Sequence, residues 1–234
     1  MPFMIQRIDY KLKLHSINET LLEIAETMEP CGAGNPQPVF GLFNMKIESI
    51  TPIGSGKHLR LELSRSGSRI QAVKFSCTAA EFPFEKGDFV DLAAGIKRNE
   101  YMNRVSVSII IKNIRPHGVN EEKLLHDMRL FERLMRGGKL NAAEASQMLP
   151  DRELNAAVYR FIRSRGGWDY GTEILCTRLK EERYAAVMCS IEAMKQLSLL
   201  EADGERLRLP SAVAKVSFED AAIIKRLKVL TEVS

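Results

Sequence analysis

The sequence lacks any run of about 18 apolar residues, so it predicts no membrane-spanning helix. Cysteine is scarce: Cys31, Cys77, Cys176 and Cys189 show no CxxC spacing. We interpret them as buried or incidental thiols in a reducing compartment rather than as a metal site. The N-terminus has no apolar signal-peptide core and carries an early Asp9. These absences favour a globular cytoplasmic protein.

The sequence also has few histidines and lacks the clustered carboxylate and histidine motifs from which many hydrolytic sites are built. Its four histidines, at positions 15, 58, 117 and 126, are dispersed, and there is no Asp-x-Asp pattern. His126-Asp127 falls in a helical run, and we interpret this pair as part of a solvated helix face. A self-standing hydrolase needs clustered carboxylates and histidines, so this hypothesis is the weakest of those we consider.

Positive charge is concentrated in one segment. Residues 41–116 contain twelve Lys or Arg and seven Asp or Glu, a net charge of +5, whereas the whole chain has +4. The remainder therefore sums to −1, and residues 41–116 are the part that favours a polyanionic partner. Aromatic content is low, at 7%. We therefore expect backbone electrostatics to outweigh base stacking in any nucleic-acid binding, which should be salt-sensitive and sequence-tolerant.

The same segment has the two-residue period of β-strands. A long first strand with Gly41 as a bulge or bend is followed by a turn at 54–57 and a second strand, 58–64, in which polar residues alternate with leucines. Three further strands are predicted at 69–75, 89–97 and 105–114. Five short strands in about 75 residues are typical of an OB-fold.

After residue 116 the period becomes helical. The pattern predicts helices within 120–138, 141–149, 151–167, 171–182 and 183–197, then a hairpin around Asp203-Gly204 and a last helix in 217–230. Three helices followed by a two-stranded hairpin is the order of a winged helix. The predicted fold class is therefore α+β and multidomain, an OB-fold five-stranded β-barrel followed by a helical winged-helix-like domain. We place the boundaries at 1–35, 36–116 and 117–234.

Before the barrel, Ser16 to Glu19 predicts a capping box, and apolar residues at helical spacing follow it. The preceding stretch, 4–14, alternates in part and predicts a strand, the last of a sheet begun upstream. The stretch "EPCGAGNPQPVF", residues 29–40, then brings two glycines and three prolines together. A phosphate-binding loop needs the order strand, glycines, helix, whereas here the glycines follow a helix and precede a strand. We interpret it as a stiff interdomain connector.

This connector resembles the "PFG-x-GNP-x-P-x-F" junction of the RecJ family, the bacterial single-strand-specific DNA exonucleases, although Cys31 stands where that family usually has Phe. "GSGKHLRLEL", "IQAVKF" and "IKRNEYMNRVSVSIIIKNI" resemble the family's second strand, third strand and closing hairpin. The residues before the connector resemble the tail of the family's DHHA1 phosphoesterase domain, which makes 1–35 a remnant of that domain. "PDRELNAAVYRFI", from Pro150 on, is similar to the extra C-terminal domain of Gram-positive RecJ proteins.

The resemblance implies a parent enzyme whose catalysis uses two divalent metal ions, Mn or Mg, held by Asp and His clusters that include an Asp-His-His motif, together with a Gly-Gly-His motif for substrate phosphate. Neither motif is present in the sequence. We therefore expect a C-terminal fragment of a larger nuclease that is inactive alone, with no cofactor of its own. The resemblance implies single-stranded DNA binding for a 5′→3′ exonuclease in recombination and repair. The alternative is a protein-interaction module that docks the nuclease to partners such as single-strand-binding protein.

Nine candidate DNA-binding residues follow from the OB-fold pattern, in which cations meet phosphates and flat side chains stack on bases. They lie at the second strand, the end of the third strand and the last hairpin: Lys57, His58, Arg60, Lys74, Phe75, Lys97, Arg98, Tyr101 and Arg104. The alternative is that each is an ordinary solvated position. Further on, the helix from Arg183 to Leu197 has only Arg183 and Lys195 as basic residues and predicts a weak DNA reader, with a protein-interaction role as the equal alternative for this domain. Trp168 and Tyr170 suit either a docking pocket or the core.

Overall fold

The computed structural model describes residues 6–32, 34–101, 104–203, 206–211 and 216–232, and for residues 100, 101, 104 and 105 it describes the backbone alone. The chain divides into two compact units, Met1–Gly118 and Val119–Ser234. The first contains a closed β-barrel and the second contains six helices in its described residues. None of the helices in these ranges is long and apolar enough to cross a lipid bilayer.

Five long strands form the barrel: β2 (Phe40–Ile53), β3 (His58–Arg65), β4 (Ser68–Lys74), β5 (Phe89–Tyr101) and β6 (Arg104–Pro116). Neighbours pair in the order β2, β3, β4, β6, β5, and β2 also pairs with β5, which closes the sheet on itself. Every pairing is antiparallel except that of β4 with β6, which is parallel. This closed mixed barrel confirms the predicted OB-like architecture.

The first long strand contains bulges, but not at Gly41 as the sequence predicts. Gly41 pairs in register with Ala93 of β5, and the register shifts instead between Leu42 and Met45. Asn44, inside this shift, has a φ of 55°. The extra residues bend β2, so that one strand pairs with β5 in its first half and with β3 in its second half.

A short strand, β1 (Tyr10–Lys11), runs parallel to the start of β2. The sequence predicts a strand here but assigns it to an upstream sheet, whereas it extends the barrel sheet. Helix α1 (Glu19–Glu26) follows, and its N-cap is Asn18, whose side chain accepts a hydrogen bond from Leu21 N at 3.0 Å. The predicted capping box from Ser16 is therefore wrong, because Ser16 ends a 3-10 turn two residues earlier.

The stretch 29–40 joins α1 to β2 within the first unit. Gly32 and Asn35 exchange backbone hydrogen bonds of 2.8 and 3.2 Å, which makes a tight turn. The Asn35 side chain donates to the carbonyl oxygens of Met28 and Pro30, and so ties the turn back to the end of the helix region. The glycine-rich stretch is thus a turn stabilised by its own hydrogen bonds, leading into the first barrel strand.

The second unit begins with α2 (Glu121–Met135) and α3 (Ala142–Met148). It continues with α4 (Arg152–Ser164), α5 (Thr172–Leu179) and α6 (Tyr184–Gln196), then a hairpin of β7 (Glu201–Asp203) and β8 (Arg206–Arg208), and ends with α7 (Ala222–Glu232). All of these elements agree with the predicted order. Trp168, between α4 and α5, exchanges two backbone hydrogen bonds with Leu207 of β8.

Helix α6 lies in the middle of the second unit. It packs against α2, α3, α4, α5 and α7, and eight of its thirteen residues are buried.

The wholly buried Asp127 of α2 accepts hydrogen bonds from Ala185 N at 3.1 Å and from Gln147 Nε2 at 2.9 Å. Asp127 therefore anchors the start of α6. The solvated face predicted for His126-Asp127 holds for His126, which is exposed, but is wrong for Asp127.

Candidate nucleic-acid interface

The outer face of β3 carries the predicted binding residues of that strand. Side chains alternate along a strand, so the wholly buried Leu59, Leu61 and Leu63 direct His58 and Arg60 outward, as predicted. β3 pairs with β2 on one side and with β4 on the other. The two polar residues therefore lie on the middle strand of a three-stranded outer surface.

Four predicted residues lie at or next to the end of this surface that adjoins the turn before β3, and two of them, His58 and Phe75, are in contact. His58 Nδ1 accepts a hydrogen bond from the backbone N–H of Ser76 at 3.0 Å. The His58 ring packs edge-on against Phe75, with centroids 5.0 Å apart and planes at 73°. Phe75 remains 49% exposed, which leaves part of its ring open to a stacking ligand. We name this group the turn patch: Lys57, His58, Arg60 and Phe75.

The turn itself helps to hold the His58 ring. Gly54, Ser55 and Gly56 have φ values of 58°, 57° and 81°, so the chain reverses through three consecutive left-handed residues. A Cβ at Gly54 would lie 2.9 Å from Cδ2 of His58. Glycine thus lets the turn approach the imidazole closely, and the ring is fixed between the turn and Phe75.

The two ends of this outer surface differ in charge balance. At the far end, Glu62 pairs with Arg69 at 3.5 Å, and Glu48 accepts a 2.6 Å hydrogen bond from Ser64 Oγ, which lowers the pKa of the Glu48 carboxyl. At the turn patch, neither Lys57 nor Arg60 forms an ion pair with any residue that the structure describes, and both are exposed. Their charge is available to a polyanion.

Lys74 makes a contact within the barrel that the sequence does not predict. Its Nζ donates a 3.0 Å hydrogen bond to the backbone carbonyl oxygen of Lys112, and the side chain is half-buried. This bond connects β4 with β6, whose strand pairing extends over only two residue pairs. Lys74 therefore helps to close the barrel between β4 and β6, where the strand pairing is shortest. One N–H of its ammonium group is used in this bond.

The predicted patch in the last hairpin is only partly available. Arg98 Nε and Nη2 each donate a 2.8 Å hydrogen bond to the carboxylate of Glu26 on α1, and these bonds hold the pKa of Glu26 below its usual value. Lys97 is exposed and forms no ion pair with the described residues. Tyr101 and Arg104 pair at the strand ends, and their side chains lie outside the described part. Sequence reasoning missed Glu26, since it lies 72 residues before its partner.

A pocket of about 340 Å³ lies beside this ion pair, between α1, the connector and β5. Glu26, Arg98 and Lys97 line it, together with Glu29 and the half-buried Cys31. Two carboxylates face two cations there, so the pocket offers no net excess of either charge.

Helix α6, for which the sequence predicts a weak DNA reader, is largely buried. The residues that predicted this role lie in 183–197, yet most of that helix is covered by its neighbours. Arg183 is bound by Glu181 at 2.8 Å and by Asp151 at 3.1 Å. Lys195 is bound by Glu192 at 2.7 Å. Both cations on which the weak prediction rested are therefore paired within the described residues, so their pairing does not support it, and DNA reading by this helix stays a prediction.

Of the two interpretations of Trp168 and Tyr170, the structure supports the core for Trp168. Trp168 is 3% exposed and packs edge-on against both Phe161 and Tyr170, with ring centroids 5.4 and 5.1 Å apart. Tyr170 is half-buried at the edge of this aromatic cluster. The indole therefore stabilises the junction of α4 with the hairpin.

The cysteines are free thiols, with Cys77, Cys176 and Cys189 buried. Burial raises the pKa of all three, most strongly for Cys176 and Cys189, which makes them poor nucleophiles. Within the described residues, no group of three or more His, Cys, Asp or Glu side chains is arranged to hold a metal ion.

The barrel topology and its basic outer surface define an OB-fold domain. Residues 8–113 match the family model of the RecJ OB domain. This segment of the chain is thus similar to the RecJ OB domain, in agreement with the resemblance that its sequence shows. The match supports a RecJ-related DNA-binding region, and it ends shortly before the second unit begins.

Solved structures with similarity to the chain include two of RecJ from Thermus thermophilus. One, in complex with Mn²⁺, has 24% identity and a TM-score of 0.33 and covers 42% of this chain and 14% of its own. The other, in complex with Mg²⁺, has 21% identity and a TM-score of 0.33 and covers 49% of this chain and 19% of its own. The second single-stranded DNA binding protein (SSBb) of Mycobacterium smegmatis has 18% identity and a TM-score of 0.29, with coverages of 33% and 84%. No curated protein matches the chain.

Proposed function

We propose that the barrel binds single-stranded DNA and that the turn patch is the centre of its binding surface. One observation carries this proposal: Arg60, exposed and without an ion pair to the described residues, lies on the outer face of β3, on which His58 packs against the half-exposed ring of Phe75, and the exposed Lys57 immediately precedes that strand. OB-folds use the face of their second and third strands, with its flanking loops, to bind oligonucleotides. In this barrel those strands are β3 and β4.

The chemistry of the turn patch suits a single strand better than a duplex. Lys57 and Arg60 supply donors for phosphate oxygens, and Phe75 supplies a face for an unstacked base, which a duplex does not offer. His58 positions Phe75. The hydrogen bond from Ser76 N holds the imidazole, and the imidazole packs against the phenyl ring and supports it. With a single exposed aromatic ring in the patch, phosphate contacts supply most of the affinity, and sequence preference is weak.

We further propose that this region serves a RecJ-like 5′→3′ single-strand exonuclease in recombination and repair. The RecJ OB domain match supports this role, and the chain spans 14% and 19% of the two RecJ chains to which it is similar. The barrel would hold the strand for a Mn- or Mg-dependent catalytic centre outside these 234 residues. Its own residues bind and orient DNA and do not cleave it.

For the second unit we propose a winged-helix-like arrangement with a role in protein contacts, single-strand-binding protein being one candidate partner. The order α4, α5, α6, hairpin supports this, as does the isolated antiparallel bridge from Trp168 to Leu207, which ties the segment between α4 and α5 to the hairpin. The burial of α6 favours protein contacts over base readout, because the helix in the recognition position is covered.

Fluorescence anisotropy of a labelled single strand of about 20 nucleotides, compared with a duplex of the same sequence, tests DNA binding by the barrel. The double variant K57A/R60A should bind about 25-fold more weakly at about 0.1 M salt, and its salt slope should be shallower by about 1.4. The matched control K46A/R69A removes the same charge from the paired end of the same surface. Equal binding of single strand and duplex, or equal losses in the two variants, would contradict the proposal.

A further inference from the structure

The second unit has a separate surface rich in unpaired positive charge, on the outer side of α4. The buried side of this helix carries Leu154, Val158 and Ile162, and Asn155 is tied to α6 by a 2.6 Å hydrogen bond with Ser190. α4 is thereby held rigidly, with its opposite face toward solvent. At about 100° per residue, five positions fall within one narrow stripe on that face. We name them the α4 stripe: Arg152, Ala156, Tyr159, Arg160 and Arg163.

The three arginines of the α4 stripe are exposed, and none forms an ion pair with a residue in the described ranges. Arg160 Nε donates a 3.2 Å hydrogen bond to the carbonyl oxygen of Ala156 in the preceding turn, which leaves its other N–H groups free to point outward. Of the nearby acids, Glu153 lies at the edge of the stripe, and Asp151 is engaged as the N-cap and with Arg183.

Three other arginines in the second unit have acidic partners, unlike those of the α4 stripe. Arg133 pairs with Glu144 at 2.5 Å, Arg136 with Glu132 at 3.8 Å, and Arg208 with Asp169. Three guanidinium groups within three turns of one helix, with a single carboxylate at their edge, repel one another at low ionic strength. A bound polyanion relieves this repulsion.

The surroundings indicate a phosphate backbone rather than an acidic peptide as that polyanion. Peptides dock through apolar anchors in pockets, and of the large apolar side chains exposed in the described residues none lies on α4. Ala156 has a small side chain in the middle of the α4 stripe, so a nucleic-acid strand can approach the helix closely. Guanidinium groups bind phosphate oxygens with two N–H donors at once, without reference to sequence.

We propose that the α4 stripe is a second nucleic-acid contact, at which Arg152, Arg160 and Arg163 bind consecutive phosphates of a strand. This second contact goes beyond the proposed role of the barrel, and the proposal does not depend on the turn patch. Single-stranded and duplex backbones present the same chemistry to the stripe, and the experiment separates them.

The test uses the full chain and anisotropy with a labelled oligothymidine of about 30 nucleotides, which exceeds the site of one OB-fold, and with a duplex of the same length. The variant R152A/R160A/R163A should lose about 100-fold in affinity for the oligothymidine at about 0.1 M salt, and its salt slope should fall by about 2. The variant R152K/R160K/R163K should keep most of the slope. The control R129A/R136A/K139A removes equal charge from α2 and the loop after it and should retain the wild-type slope.

Circular dichroism melting confirms that each variant is folded. A wild-type slope in R152A/R160A/R163A for both ligands overturns the inference, as does an equal loss in the control variant. Loss of binding to a labelled oligoglutamate with unchanged DNA binding also overturns it, in favour of a protein partner. Normal binding by K57A/R60A with weak binding by the α4 variant would refute the proposed function of the barrel and leave this inference standing.

Discussion

Arg98 on β5 holds the carboxylate of Glu26 on α1 with two parallel hydrogen bonds of 2.8 Å. The paired N–H donors of the guanidinium match the two carboxylate oxygens, which is the strongest geometry for such a pair. The bond fastens α1, and the connector after it, to the barrel strand that leads into the last hairpin. Arg98 therefore holds α1 against the barrel, although its position in the sequence predicts a phosphate contact.

Replacing Arg98 by Ala should loosen α1 and leave DNA affinity close to that of the wild type. Hydrogen exchange of the α1 amides should become faster because the ion pair with β5 is lost, while the buried Leu22 keeps the helix attached to the barrel. Lys97→Ala, which removes an exposed cation next to it, is the matched control and should not affect α1. A large loss of DNA binding in Arg98→Ala with unchanged exchange would assign Arg98 to the interface instead.

The same ion pair gives α1 a predictable pH response. The pKa of Glu26 is lowered in the folded protein by the hydrogen bond from Arg98. Its stabilising effect is therefore complete above the pKa of an unfolded Glu and is lost as the pH falls through the lower folded value. Exchange measured from about pH 7 down to about pH 3 should show the protection of α1 in the wild type converge on that of Arg98→Ala.

Replacing Asp127 by Ala should destabilise the second unit. The N-cap of α6 makes no side-chain hydrogen bond of its own, and Asp127 supplies the acceptor for Ala185 N from α2. Without it, a buried N–H is left unsatisfied, which costs about 1–3 kcal/mol. Asp127→Asn keeps one oxygen acceptor and should cost less. Urea unfolding measures the difference, and a fully stable Asp127→Ala would contradict this role.

Replacing Asn18 by Ala should fray the start of α1, at a cost of about 1 kcal/mol for a lost N-cap. Ser16→Ala is the control, because Ser16 belongs to the preceding 3-10 turn and does not cap α1. Hydrogen exchange at Leu21, whose amide donates to the Asn18 side chain, reports the effect directly. Faster exchange in Ser16→Ala than in Asn18→Ala would restore the capping box that the sequence predicts.

Local patterns in the sequence were enough to predict the barrel strands, the order of the helices and the outward direction of His58 and Arg60. They depend on a period of two or 3.6 residues, which the chain displays directly. The positions of caps and bulges were predicted less well. Asn18 and Ser16 are both good N-caps, and Gly41 and Asn44 both suit a bulge, so composition alone does not choose between them.

What the sequence could not predict depends on partners far away in the chain. Asp127 can be buried because the amide of Ala185, 58 residues later, donates a hydrogen bond to its carboxylate. Arg98 is engaged because α1 happens to present Glu26 to it. Conversely, Lys57 and Arg60 are available because no carboxylate of the described residues reaches them. Pairing decides which cations are available, and pairing is a property of the folded chain.

The contact between His58 and Phe75 predicts a coupled effect on DNA binding. Phe75→Ala should weaken single-strand binding with little change in the salt slope, because a stacking contact of about 1–3 kcal/mol per base is lost while the phosphate contacts remain. K57A should do the reverse and reduce the slope by about 0.7. His58→Ala should weaken binding in part, since Phe75 loses its neighbour 5.0 Å away.

If His58 acts only by holding Phe75, the double variant H58A/F75A should bind no more weakly than Phe75→Ala alone. Additive losses would mean that His58 contacts the strand itself. Phe89→Ala is a matched control, since Phe89 is 52% exposed on β5, outside the turn patch, and its removal tests for a general effect of exposed aromatic area. A loss with Phe89→Ala as large as with Phe75→Ala would contradict the placement of the stacking contact on β3 and β4.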